Sequence, residues 1–237
     1  MQKIYLFLTI AAALCARNPI VAQTVQLQKV GSYTTGIYDE GATEIAAFDP
    51  FTDRLFSVNG STGDIDVIDI SDVTMPTLAF TIDLTPFGGG ANSVAIKNGI
   101  VAAAVEDSIK TNPGKVVFFD TDGNYINSVG VGAQPDMIIF TPNGKRVLTA
   151  NEGEPNDDYT IDPAGSVSII NITGGVAAVT AAQVMTVDFS AYDTLPLPDG
   201  VRVFGPGAMP STNIEPEYIT ISKNNKFAYV TLQEANA

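Results

Sequence analysis

One block recurs along this chain and constrains its fold more than any other feature. It consists of a short β-branched strand, a turn rich in Gly, Asn, Asp or Pro, and a second apolar strand. Copies begin at Glu44 (EIAAFDPFTDRLFSVN), Ser93 (SVAIKNGIVAAAV), Asp136 (DMIIFTPNGKRVLTANE) and Glu217 (EYITISKNNKFAYVTLQE). The first three run on into a third strand, at 64–70, 114–120 and 165–172. The starts lie 49, 43 and 81 residues apart, and the widest gap holds an insertion. A period of roughly 40–50 residues with four strands per unit is that of β-propeller blades. The expected fold is therefore all-β: an incomplete β-propeller of about three and a half blades, the fourth copy stopping after two strands.

Turn chemistry places the blade boundaries. Blade one spans 44–84, with breaks at Asp49–Pro50, Gly60–Gly63 and Met75–Pro76. Phe87–Gly90 reads as a flexible crossing to blade two, 93–132, whose hairpins turn at Asn98–Gly99 and Asp122–Gly123. Such pairs supply the positive φ that tight hairpins need. Blade three spans 136–188, and residues 189–213, with four of the fourteen prolines and no strand period, read as a long surface insertion. Ahead of the first blade, 24–36 (TVQLQKVGSYTTG) alternates apolar and polar residues as a half-buried strand does, and is a candidate to close a ring.

Residues 1–22 read as a secretory signal peptide, with Lys3 before an apolar run, Ile4–Ala16, too short to span a bilayer. Cleavage fits after Ala22, with Ala16 as the rival, leaving 23–237 as the mature propeller segment with no membrane-spanning stretch. Leu14 sits where a lipobox before Cys15 would want a small residue. Cys15 is the only cysteine, so no disulfide is expected in the mature chain. With no His in the chain, Ser–His and Cys–His catalysis and the usual zinc sites are excluded. Net charge is −14, and −16 once Lys3 and Arg17 leave with the signal. That balance disfavours nucleic acid and anionic membrane as partners and suits cations, or plain solubility.

The densest group of oxygen ligands is the stretch 152–162 (EGEPNDDYTID), between the second and third strands of blade three. Equivalent loops of a propeller share one face, so Asn59–Gly60, Glu106–Asp107 and Gln233–Glu234 should lie near it. Glu44, Asn92, Asp136, Glu215 and Glu217, just ahead of the first strands, should line the channel mouth. Calcium takes six to eight oxygens, and this loop has enough of them without the spacing of an EF-hand. The candidate calcium ligands are Glu152, Glu154, Asp157, Asp158 and Asp162, with Glu106 and Glu217 next. A solvated acidic loop is the plainer reading of the same residues. Carboxylates with Lys110, Lys115, Arg146 and Arg202 nearby in sequence could also serve metal-assisted phosphoester hydrolysis, although no nucleophile elbow, P-loop or zinc motif is present. Asn59–Gly60–Ser61 and Asn171–Ile172–Thr173 fit the N-glycosylation sequon.

Longer motifs point to a family. LTANEGEP (148–155), DDYTIDPAGSVSII (157–170), IEPEYITIS (214–222), VTLQEANA (230–237), GKVVFFDTDG (114–123) and QPDMIIFTPNGKRVL (134–148) resemble the choice-of-anchor I domain proteins, relatives of the mesenchyme-specific cell-surface glycoproteins. The resemblance covers nearly all of the mature chain. It implies an exported, extracellular or cell-surface propeller with YVTN- and WD40-like blades, in a family whose members are longer and carry a C-terminal sorting or anchoring signal. By that likeness the chain reads as the N-terminal part of a propeller. Some relatives are described as alkaline phosphatases and others are associated with biomineral surfaces, which fits calcium or phosphate at acidic loops without assigning a catalytic residue. The expected function is a non-enzymatic surface module that binds calcium or another small ligand on its acidic face and meets surface or matrix proteins. The alternative is a metal-dependent phosphoesterase completed by further blades.

Overall fold

A computed structural model describes residues 26–39, 41–204 and 208–237. Residues 31–237 form one compact unit, and 26–30 belong to a separate N-terminal one. The expected signal peptide, 1–22, lies outside the described residues.

Hairpin chemistry sets the architecture. Blade one contains β1 (Ala46–Asp49), β2 (Arg54–Val58), β3 (Ile65–Asp69) and β4 (Thr77–Ile82), paired antiparallel in that order. Blade two repeats the meander with β5 (Gly90–Lys97), β6 (Ile100–Glu106), β7 (Pro113–Asp120) and β8 (Tyr125–Ala133). Blade three has β9 (Pro135–Phe140), β10 (Arg146–Asn151), β11 (Ser166–Asn171) and β12 (Val184–Asp188). A final two-stranded sheet pairs β13 (Tyr218–Ile221) with β14 (Ala228–Thr231). At the β5–β6 turn Asn98 and Gly99 both take positive φ, 53° and 76°, as a two-residue hairpin of the favoured twist requires. The first strands β1, β5, β9 and β13 lie side by side in succession, forming a hub. The fourth strands β4 and β12 are largely exposed at the rim. Sheets stacked in this way around a hub, with three full blades and half a fourth, make an unclosed β-propeller.

Burial on both faces explains the apolar runs. In β6, Val101, Ala103 and Val105 pack towards blade one, whereas Ala102 and Ala104 pack towards blade three. Strand β7 divides likewise, Val117 and Phe119 to one side, Val116 and Phe118 to the other. A strand buried on one face alternates; one buried on both reads as a continuous apolar run, as in IVAAAV and VVFF. A third core joins Met137, Leu148, Ala150 and Val167 of blade three to Ile219 of the half-blade.

Three expectations require correction. Residues 26–36 contain no strand, because alternation alone cannot make one without a ladder partner for its backbone groups. Blade two starts at Gly90 rather than Ser93. The Phe87 end of the crossing is also held in place. The Phe87 ring stacks on Tyr125 at 5.2 Å and meets Phe119 edge-on at 5.7 Å, and its carbonyl accepts from Lys115 Nζ at 2.8 Å.

Blades one and two are also stapled at their margin. Arg54 Nη1 donates to the Thr121 carbonyl at 2.9 Å and to Asp122 Oδ1 at 3.0 Å, and its guanidinium lies 5.5 Å from the Phe80 ring centre. Because Asp122 is 73% exposed, water screens the ion pair, and Arg54→Ala is expected to cost about 1 kcal/mol in urea unfolding. A loss several times larger would show that this contact governs the docking of the two blades.

Candidate functional site

The site begins with a backbone irregularity repeated at the hub. Between β5 and β6 the register skips Asn92, and between β9 and β10 it skips Asp136. Each is therefore the extra residue of a β-bulge, a device that re-aims a side chain at a strand end. Asn92 Nδ2 donates to Glu106 Oε2 and to the Pro135 carbonyl, both at 3.3 Å. Glu44 and Glu217 sit at the matching entrances to blade one and the half-blade, where their N–H groups donate to Val58 O and Thr231 O.

The loop after β10 brings more carboxylates to the same end. Glu152 N–H donates to the Gln134 carbonyl at 2.9 Å. The Gln134 side-chain amide then donates to Glu152 Oε2 at 3.0 Å and Glu154 Oε2 at 2.8 Å. Its own backbone is left-handed, φ 48°, at the junction of blades two and three. One amide thus clamps two acids of the loop. Further along, Asn156 organises the loop tip, its Oδ1 accepting from Thr160 N at 2.9 Å and Ile161 N at 3.0 Å. The far wall comes from the 189–213 insertion, which carries a 3-10 turn at Ser190–Asp193 and one helical turn, α1 (Pro210–Asn213). Asp193 ties the two together by accepting from Ser211 N–H at 2.9 Å and Ser211 Oγ at 2.8 Å.

Between these walls opens a cleft of about 930 Å³, lined by Glu152, Glu154, Asp157, Asp162, Glu215 and Glu234 among others. A second cavity of about 440 Å³ runs along the first strands from Glu44, Asn92 and Asp136 to Tyr218. Burial, reinforced by Asp136, Glu154, Glu215 and Glu217, pushes the Glu152 carboxyl up to about 8. Burial and then Glu154, Glu234, Asp162 and Glu217 push Glu215 up to about 7. Asp136 and Glu217 are raised by the same causes, burial first. Among the described residues one cation pairs with this group, Lys110 Nζ at 3.3 Å from Glu154 Oε2. The acids therefore repel one another with little compensation.

Of the residues expected from sequence, Glu152, Glu154, Asp157 and Asp162 share the cleft, whereas Asp158 is exposed and does not line it. Glu217 acts on Glu152 from the channel side, and Glu106 bonds to Asn92 and faces Asp136. Asp136 and Glu215, expected only at the channel mouth, belong to the same electrostatic group. Gln134 was not anticipated; its one sequence trace is its place immediately before the proline that opens blade three. Among the described residues no three acids stand close enough to hold one metal ion as the side chains are placed. The donor chemistry, hard oxygens with unbalanced charge, does suit calcium.

Fold and site together define a β-propeller module with an acidic hub face. The sequence profile of the choice-of-anchor I domain matches residues 44–237. The chain belongs to the choice-of-anchor I domain family, whose membership implies an extracellular or cell-surface role. No curated protein sequence matches the chain significantly. Among solved structures it is similar to a proposed 6-phosphogluconolactonase from Bacteroides uniformis, with TM-score 0.52, 16% identity and coverage of 82% of this chain and 48% of that one. A second such protein, from Bacteroides fragilis, gives TM-score 0.52, 17% identity and coverage of 81% and 48%. At these identities the likeness is one of fold, and the chain spans about half the length of both structures. Among the described residues no helix is long and apolar enough to cross a membrane.

Proposed function

We propose that this surface propeller module works by binding calcium, without catalysis, in the acidic cleft beside the hub, and that residues 1–22 export it. One observation carries the reading: Glu152 is half-buried among four other carboxylates, its charge suppressed up to about pH 8. A divalent cation offsets that repulsion, and the insertion and the 152–162 loop give its oxygen ligands room to close on it. Glu152, Glu154, Asp157 and Asp162 would hold the ion, with Glu215 supplied by the segment before β13. A bound cation is also a bridge by which an acidic surface can take up an anionic partner, such as a matrix protein.

Calcium needs ionised carboxylates, so proton release and binding are linked. Titration calorimetry on the full chain is expected to show calcium affinity rising from pH 6 to pH 9, as Glu215 and then Glu152 ionise. Paired Glu154→Gln and Asp157→Asn substitutions should abolish the signal. Equal heats with and without these changes, or no calcium heat at any pH, would sink the proposal.

A further inference from the structure

We propose that Asn171, and not Asn59, is the acceptor for an N-linked glycan in the folded protein. Both lie in sequons, Asn59–Gly60–Ser61 and Asn171–Ile172–Thr173, and by sequence they are equivalent. The fold separates them. Asn59 is 5% exposed, and its Nδ2 donates to the buried carboxylate of Asp66 at 3.0 Å. That carboxylate also accepts from Thr81 Oγ1 at 2.8 Å. The nitrogen that would have to attack a sugar is thus enclosed in a polar network that ties the residue just after β2 to Asp66 of β3 and Thr81 of β4. Freeing it would strand a buried acid.

Asn171 is the opposite case. It is the exposed last residue of β11, paired with Arg146 at the end of its ladder. Its Oδ1 accepts from Thr173 N at 3.1 Å and from Thr173 Oγ1 at 2.6 Å. Among the described residues its Nδ2 has no hydrogen-bond partner. The sequon hydroxyl therefore engages the amide oxygen while the nitrogen stays open to solvent. The chain beyond it, Thr173–Gly175, is exposed and turns on Gly175 at φ 90°, and a Cβ added at Gly174 or Gly175 would meet open space. Carbohydrate at such a site is accommodated on the surface.

The co-substrate is a polyprenyl-diphosphate-linked oligosaccharide. Asn171 Nδ2 attacks sugar C1 and loses a proton as the N–C bond forms. The C1–O bond breaks, and the diphosphate leaves with the electron pair. The test uses the purified, folded full chain, a purified single-subunit oligosaccharyltransferase and that lipid-linked donor, with intact mass as the readout. Because no export step or added calcium is involved, failure here would leave the cation proposal untouched. One glycan is expected on the wild type and on Asn59→Gln, and none on Asn171→Gln or Thr173→Ala. Peptides covering 56–64 and 168–176 should both accept sugar, since only the fold distinguishes them. An unmodified folded chain, a glycan on Asn59, or a 56–64 peptide that refuses sugar would overturn the proposal.

Discussion

Replacing Phe118 by Ala is expected to lower the unfolding free energy by about 3–5 kcal/mol. Phe118 is fully buried. Its ring sits in the core that Val116, Val129 and Val131 of blade two share with Ile138, Phe140, Val147 and Ile170 of blade three. Truncation removes the transfer free energy of the ring and leaves a cavity between two sheets held by their own hairpins, which cannot slide together to fill it. Urea unfolding followed by circular dichroism would show the transition midpoint falling with little change in slope. Phe51→Ala is the control, because Phe51 is 82% exposed and its loss should stay within about 0.5 kcal/mol. If both variants behaved alike, the blade interface would not be a cooperative core.

The second large effect is electrostatic. The Glu152 carboxyl titrates near 8 in the folded protein against an ordinary 4.5, so the folded state holds its proton where the unfolded chain has released it. Its contribution to stability is full below about pH 4.5. It falls as pH rises from there through about 8 and is constant beyond. Glu215, raised to about 7, adds a loss of the same sign. Without calcium the melting temperature should therefore decline from pH 5 to pH 9. Glu152→Gln keeps an acceptor for the Gln134 amide but removes the charge. It should flatten that decline and raise the melting temperature at pH 9 by about 5 °C, equivalent to roughly 1–2 kcal/mol once water at a half-buried carboxyl is allowed for. An unchanged pH profile would mean that Glu152 is not crowded by its neighbours. At the acid end the sign reverses. Hydroxyl hydrogen bonds from Ser71, Thr74 and Thr85 hold Asp69, Asp72 and Asp83 below the usual carboxylate range, so protonating them removes stability as pH falls.

Glycine at 165 shows how local sequence and distant packing meet at this site. A Cβ there would run into the Ile214 carbonyl oxygen and crowd Pro216 Cδ at 2.9 Å. The close approach brings the segment bearing Glu215 against the base of the 152–162 loop. In the sequence this glycine is only one more turn former. Its reason lies some fifty residues away, in a chain segment with no strand pattern.

The amino-acid sequence by itself determined the repeat, the all-β class, the hairpin positions and the family, because strand period and turn chemistry act between near neighbours. It also placed Glu152, Glu154, Asp157 and Asp162 in one acidic loop, and set that loop on the face shared by the equivalent loops of stacked blades. Only the tertiary structure decided the rest. It left the alternating segment 26–36 without a strand, because pairing depends on a partner and not on pattern. It moved Asp158 off the cleft, brought Glu215 to its wall, and set Asp136 in the adjoining cavity close enough to act on Glu152, because bulges and an insertion, not spacing, aim those carboxylates. It revealed Gln134 as the clamp between two acids, a role set by a left-handed residue at a blade junction. And it separated two equivalent sequons, because burial is a property of how sheets stack and not of three consecutive residues.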